Sequence, residues 1–271
     1  MNPNKALWEK GDFTRIAAFM RDAGSAFAGS LGVAPGMRVL DVGCGDGTTA
    51  LPMAELGADV TGVDIASNLV AAGNRRAAEA GLKNLRFHEG DACDLAGIED
   101  DSFDLSVSVF GAMFAPRPED VARHLVRVTK PGGRVIMGNW IPNDPTSFIS
   151  KLLNISVSYT PPPPEGFVSP MLWGVEDHIV ARFERAGVPR EKISMERDTF
   201  AFVSDRTSPE GMIEVFRDWY GPTMNAYAAA AAKGLTGELH AKLVDLANGE
   251  NTAGSGGTSI TATFMRVSVG V

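Results

Sequence analysis

Apolar and polar positions change their spacing several times along the chain, and each change predicts an element. Over residues 8–31, Phe13, Ile16, Ala17, Met20 and Phe27 recur at helical intervals, and Gly32 and Pro35-Gly36 then stop the helix. From there short apolar runs alternate with longer amphipathic ones. Strands are predicted over 38–42, 59–63, 85–88, 103–109 and 134–138. Helices are predicted over 48–56, closed by Gly57, and over the Ala-rich stretch 67–80, closed by Gly81. A third, over 118–129, ends at Pro131-Gly132-Gly133. Strands separated by helices of this length predict an α/β fold with a doubly wound (Rossmann-like), mainly parallel sheet and right-handed crossovers.

The rhythm breaks over residues 139–174. Pro142, Pro145, Pro161 to Pro164 and Pro170 surround an apolar segment, 148–159, and an insert of this length in a compact domain is expected to be functional or mobile. Beyond it a helix is predicted over 175–186, a strand over 193–203, and helical structure over 209–232 and on to about residue 247. A Gly/Ser/Asn-rich turn over 250–257 precedes an alternating last strand, 259–269, expected to form an antiparallel hairpin with the strand before it. The pattern predicts one seven-stranded domain: a helical cap over 1–32, a core over 33–139, a Pro-rich lid or substrate insert over 140–174 after strand 5, and the remaining sheet over 175–271.

Composition then narrows the classes. The 271 residues are 44% hydrophobic and 21% charged, enough to bury a sizeable core. A formal net charge of −8 argues against a nucleic-acid partner, because neutralising phosphates takes clustered Lys and Arg. Cys44 and Cys93, in separate segments, read as reduced thiols of a cytoplasmic protein. The first ten residues lack a basic region followed by an apolar run, and no apolar stretch reaches about 18 residues, so neither a secretory signal nor a membrane span is expected.

The segment richest in chemistry is Val39-Leu40-Asp41-Val42-Gly43-Cys44-Gly45-Asp46-Gly47-Thr48. A buried strand runs into a turn with alternate glycines and then into a helix. Glycine there permits positive φ and close approach of a ligand, and the exposed N–H groups favour an anionic group. The dinucleotide fingerprint G-x-G-x-x-G is not met, because Thr48 stands where its third small residue belongs. Asp64 ends the second strand, where a carboxylate can accept from both hydroxyls of a ribose, and Asp91 ends the third, beside an adenine amino group. Taken singly these are cap and turn residues. Together they line the carboxyl edge of the sheet, where ligands bind in open α/β folds.

Asp41 to Gly47, Gly62 to Asp64, Gly90-Asp91, Phe103-Asp104-Leu105 and Lys130-Pro131-Gly132-Gly133-Arg134 resemble the successive motifs of class I S-adenosylmethionine-dependent methyltransferases, and most nearly the small-molecule enzymes of ubiquinone and menaquinone biosynthesis. The resemblance covers residues 33–140 and implies S-adenosyl-L-methionine as cofactor and S-adenosyl-L-homocysteine as product. It implies Gly43, Cys44 and Gly45 against the methionine part, Asp41 near its ammonium, Asp64 on the ribose, Ile65 beside the adenine, Asp91 and Ala92 on the adenine edge, and Phe110 near the sulfonium. The family's N-terminal helix folds over the cofactor, so Trp8 and Arg15 join the expected cofactor residues.

Displacement at a sulfonium carbon asks the protein mainly to align the nucleophile and exclude water, with a base only for a poorly acidic acceptor. No metal-ligand spacing stands out, so a metal-independent reaction is expected. His178, after the insert, and Asn139 are the candidate catalytic groups; His88, His124 and His240 fit core or surface positions better. Phe13, Met113, Phe114, Trp140, Phe148, Trp173, Trp219 and Tyr220 are candidates for an apolar acceptor pocket, which predicts a small aromatic or lipophilic acceptor. A protein or RNA methyltransferase, or a non-catalytic cofactor-binding protein, shares part of the signal. Ser108-Val109-Phe110-Gly111 after the fourth strand lacks the Asn/Asp-Pro-Pro-aromatic signature of base amino-methylation. Oligomeric state is not encoded in these patterns.

Overall fold

The computed structural model describes residues 4–254 and 256–271. Three short pieces open it, α1 (Lys5–Lys10), α2 (Phe13–Ala17) and α3 (Arg21–Ser30), the last two linked by a 3-10 turn. The single predicted helix is therefore broken. At Gly11 the chain is extended and passes so close to the Trp219 carbonyl that a side chain would clash. Asp12 then restarts the helix, its carboxylate accepting from the Thr14 N–H at 3.2 Å.

The core follows as β1 (Arg38–Val42), α4 (Ala50–Glu55), β2 (Asp59–Asp64), α5 (Ser67–Glu79), β3 (Leu85–Glu89), β4 (Phe103–Val109), α6 (Pro118–Val128) and β5 (Thr129–Trp140). After it come α7 (Phe148–Val157), α8 (Glu176–Arg185), β6 (Ile193–Ser204), α9 (Pro209–Trp219), α10 (Gly221–Ala231), α11 (Thr236–Glu250) and β7 (Thr258–Gly270). The sheet is seven-stranded in the order β3-β2-β1-β4-β5-β7-β6, with β7 antiparallel to both neighbours and the other strand pairs parallel. β6 and β7 pair as the alternation predicts, but α9, α10 and α11 intervene, so they are not a hairpin.

The strand order reverses beside β1. Right-handed crossovers therefore put α4 and α5 on one face and α6 on the other. Val39, Leu40, Val60, Leu105, Val107 and Val135 are wholly buried between those layers, which explains why the strands read as continuous apolar runs. α11 packs against α7 and α9, and α2 against α9, so a second group of helices stands beside the N-terminal segment. The predicted 209–232 helix is interrupted at Tyr220, which is extended (φ −97°, ψ 112°) ahead of Gly221-Pro222. Among the described residues no helix is long and apolar enough to cross a membrane.

Candidate active site

The site grows from the end of β1. Gly43 and Gly45 both take positive φ, +68° and +56°, but for different reasons. A side chain at Gly43 would meet the backbone of Gly111 at 2.7 Å, so this glycine lets the turns after β1 and β4 touch. At Gly45 the nearest atom to a would-be Cβ is Phe13 Cδ1 at 3.8 Å, so its open side faces free space. Asp64, at the end of β2, ties the turn down: Oδ2 accepts from the Gly45 N–H at 2.8 Å and Oδ1 from the Ala66 N–H at 2.9 Å. Burial pushes the Asp64 carboxyl above its ordinary range, against backbone hydrogen bonds from Ala66, Gly45 and Ile65.

Asp41 lies beneath the turn, wholly buried, accepting from Thr49 Oγ1 at 2.6 Å. Burial raises its carboxyl to about 7, with the nearby Asp64 charge adding to the rise. Asp46, in the middle of the glycine turn, is gripped by Arg21 of α3 through both guanidinium nitrogens, one at 2.9 Å. Arg76 of α5 donates to the Asp46 carbonyl at 2.6 Å, and Arg21 also reaches Thr48 Oγ1 at 2.6 Å. Burial pushes the Cys44 thiol far up, which makes it an inert wall. On the third strand's side, Asp91 is half-buried and accepts from the Cys93 N–H at 2.8 Å.

Above these groups lies an open cavity of about 1140 Å³, the solvent at its mouth included. Gly43, Cys44, Gly45, Asp64, Ile65 and Asp91 line one end, with Ala92 beside them. Phe110, Trp140, Phe200, Phe202, Phe216 and Tyr220 line the other. Trp8, Phe13 and Phe114 stand between, with Trp8 edge-on to both phenylalanines at 6.1 and 5.2 Å. Phe110 takes a left-handed φ of +60°, which costs a non-glycine residue about 1 kcal/mol. Its ring lies face-on against Trp140, 3.6 Å between centroids and 6° between planes, and its N–H bonds the Gly138 carbonyl at 2.9 Å.

Several candidates lie outside the cavity. His178 is exposed on α8. Asn139 is wholly buried and lines nothing, its amide without a hydrogen bond among the described residues. Arg15 pairs with Asp12 at 3.3 Å and stands over the outward-facing Trp219. Asp41 acts from behind the turn, and Met113 is packed in the core. Phe148 lies behind the wall against Phe202 and Phe216, and Trp173 packs against Phe183 and the Arg182 guanidinium. Other lining residues escape the sequence reading: Asp46, Phe200, Phe202, Phe216, Ile149 and Asn4. Phe200 and Phe202 share one face of β6 by their two-residue spacing, and Phe216 and Tyr220 share a helical face by their four-residue spacing, so the periodicity held that signal. Among the described residues no group of three or more His, Cys, Asp or Glu is placed to hold a metal ion.

Known proteins resemble the chain in sequence and fold. A family model described as a methyltransferase domain matches residues 40–137, the segment that builds β1 to β5 and the glycine turn. An uncharacterized protein of Mycobacterium tuberculosis is 32% identical over 231 residues, covering 84% of this chain and 80% of that protein. A ubiquinone biosynthesis O-methyltransferase of Albidiferax ferrireducens is 39% identical over 114 residues, 42% of this chain and 45% of that enzyme. The crystal structure of the YcgJ protein from Bacillus subtilis superposes with a TM-score of 0.56 at 19% identity, covering 91% of this chain and 97% of that one. The strand order and the glycine turn thus coincide with a matching domain model and with named methyltransferases across the core, so the chain belongs to the class I S-adenosylmethionine-dependent methyltransferases, with S-adenosylmethionine as its cofactor.

Proposed function

We propose that the enzyme methylates a small, uncharged aromatic or lipophilic acceptor by in-line displacement, without a metal ion. One observation carries the reading: the cavity continues past the glycine turn into a wall of six aromatic rings with no charged side chain among them. Removing a charge from water into such a wall is unfavourable, so neutral aromatic molecules fit it best.

The glycine-turn end fits the cofactor. Gly45 offers an open backbone face, the Asp64 carboxylate lines the cavity where ribose hydroxyls would bind, and Ile65, Asp91 and Ala92 flank the place for an adenine. Gly43 and Cys44 complete that cradle, with Asp41 behind it accepting from Thr49. Bound there, S-adenosylmethionine supplies a methyl carbon on a sulfonium whose leaving group departs uncharged. The chain's own residues then have two tasks. Trp8, Phe13 and Phe114 exclude water over the middle of the cavity. The Phe110–Trp140 stack fixes one side of the acceptor slot. Proton removal falls to solvent, because no His, Lys, Asp or Glu stands on the aromatic wall. Acceptors that bind neutral and release their proton to solvent as the methyl group is transferred, phenols and thiols, suit that arrangement.

In this reading residues 1–32 and 140–174 close the cavity as cap and insert. The two cysteines, left as buried thiols, suit a cytoplasmic protein. The test begins with calorimetric titration of S-adenosylmethionine, S-adenosylhomocysteine and NAD, where micromolar binding of the first two alone is expected. A mass-detected screen of phenols, thiols, amines and carboxylates follows. Transfer to neutral phenols or thiols is the expected result; transfer confined to amines, carboxylates or a protein would sink the small-acceptor reading.

A further inference from the structure

The cavity is divided by charge. Asp46, Asp64 and Asp91, the ionisable acids that line it, stand at the glycine-turn end, whereas the aromatic wall presents only neutral groups. Two of those groups are polar. The Trp140 indole N–H and the Tyr220 hydroxyl make no hydrogen bond to any described residue, and although the side chains are nearly buried, 3% and 4% exposed, neither polar atom is fully enclosed by the protein. Each is therefore available to an occupant of the cavity.

Tyr220 is held to its place. Its carbonyl accepts from Thr223 Oγ1 and from the Met224 N–H, both at 2.9 Å, and its N–H bonds the Phe216 carbonyl at 3.1 Å. Its ring is wedged against Phe216, Trp8 and Phe13 at centroid distances of 5.4, 6.1 and 6.2 Å. The break between α9 and α10 gives Tyr220 the extended backbone that turns it inward, and Gly221 makes the break possible by letting Leu7 of α1 approach to 2.9 Å of a would-be Cβ. Burial pushes the phenol well above its ordinary value, so the hydroxyl stays protonated and offers a donor. The Trp140 N–H is a donor too. The aromatic wall therefore presents donors to its occupant and no carboxylate.

Resting on the small-acceptor reading above, we propose that Tyr220 is a specificity-determining residue whose hydroxyl donates a hydrogen bond to an oxygen of an uncharged aromatic acceptor of the phenol or aryl-carbonyl class. Aromatic hydrocarbons of the same size lack the oxygen and leave the donor unpaired, and this mismatch is what rejects them.

The test uses the full chain loaded with S-adenosylhomocysteine and two probes, 1-naphthol and naphthalene, with dissociation constants from equilibrium dialysis. The wild type is expected to prefer naphthol, and Tyr220→Phe to reduce that preference by about five- to tenfold, the worth of one neutral hydrogen bond. Titration of S-adenosylhomocysteine alone, unchanged within about twofold, keeps the effect in the acceptor half. Because the donor does not ionise, the wild-type preference is expected to be constant between about pH 6 and pH 8, a readout that needs no variant. An unchanged preference in Tyr220→Phe, a preference that moves with pH in that window, or a loss of S-adenosylhomocysteine affinity in the variant would each overturn the role given to Tyr220. If neither probe binds a wild type that binds S-adenosylhomocysteine, the small-acceptor reading itself falls, and the proposal with it.

Discussion

At the scale of single residues, two buried carboxylates carry different loads. Asp64 anchors the Gly45 and Ala66 N–H groups and lines the cavity, so Asp64→Ala is expected to weaken S-adenosylhomocysteine binding at least tenfold while a cooperative melting transition persists. Asp91→Ala is expected to do likewise; unchanged titrations in both variants would refute the assignment. Asp41 touches no part of the cavity, and its effect is on stability. Its carboxyl sits at about 7 in the folded chain against an ordinary 3.8, so protonation favours the fold. That contribution is complete below about pH 4 and is lost as pH rises through 7, and it amounts to at most about 4 kcal/mol. The stability of the wild type relative to Asp41→Asn, measured without ligand, is therefore expected to fall between about pH 5 and pH 7.5. Asp64 and Asp91 were legible in the sequence because one ends β2 and the other follows β3 by two residues on the ligand edge. Asp46 was not: its partners Arg21 and Arg76 lie on α3 and α5, and nothing in local spacing announces that two helices converge on one turn.

At the scale of elements, the glycines separate structural from ligand roles. Gly111→Ala pushes a methyl group into the Gly43 carbonyl, a backbone contact with no give, and is expected to cost about 3 kcal/mol or to block folding. Gly45→Ala meets only Phe13 at 3.8 Å and pays for its left-handed φ, about 1–2 kcal/mol. It is nevertheless expected to lose S-adenosylhomocysteine affinity by tenfold or more, because the methyl group occupies the face a ligand approaches. Thermal melting beside calorimetry distinguishes the two, and a Gly45→Ala variant of normal affinity would move the cofactor away from this turn. The elements of the core were readable from apolar runs and glycine stops. The breaks at Gly11 and Tyr220 were not, because both answer to tertiary contacts: Gly11 with the Trp219 carbonyl, Gly221 with Leu7.

At the scale of the whole molecule, α1 is joined to the rest by surface contacts, Lys5 with Glu89 and Glu9 with Ser67 at 2.7 Å, and by Leu7 against Gly221 and Trp8 against Phe114 and Tyr220. Exposed ion pairs add little stability, and α1 buries none of its residues fully, yet Trp8 closes the cavity. Removal of residues 1–11 is expected to lower the melting temperature by only a few degrees, about the effect of 1 kcal/mol. The same truncation is expected to weaken S-adenosylhomocysteine binding at least fivefold; equal binding would deny α1 its role as a cover. The sheet holds a further consequence. β7 lies between β5 and β6, yet residues 205–257 separate it from β6 in the chain. On the ribosome β6 emerges with one edge committed to a partner not yet made, and it stays open while three helices are synthesised. At about 5–20 residues per second that exposure lasts several seconds, a span in which the strand edge of β6 is open to mispairing.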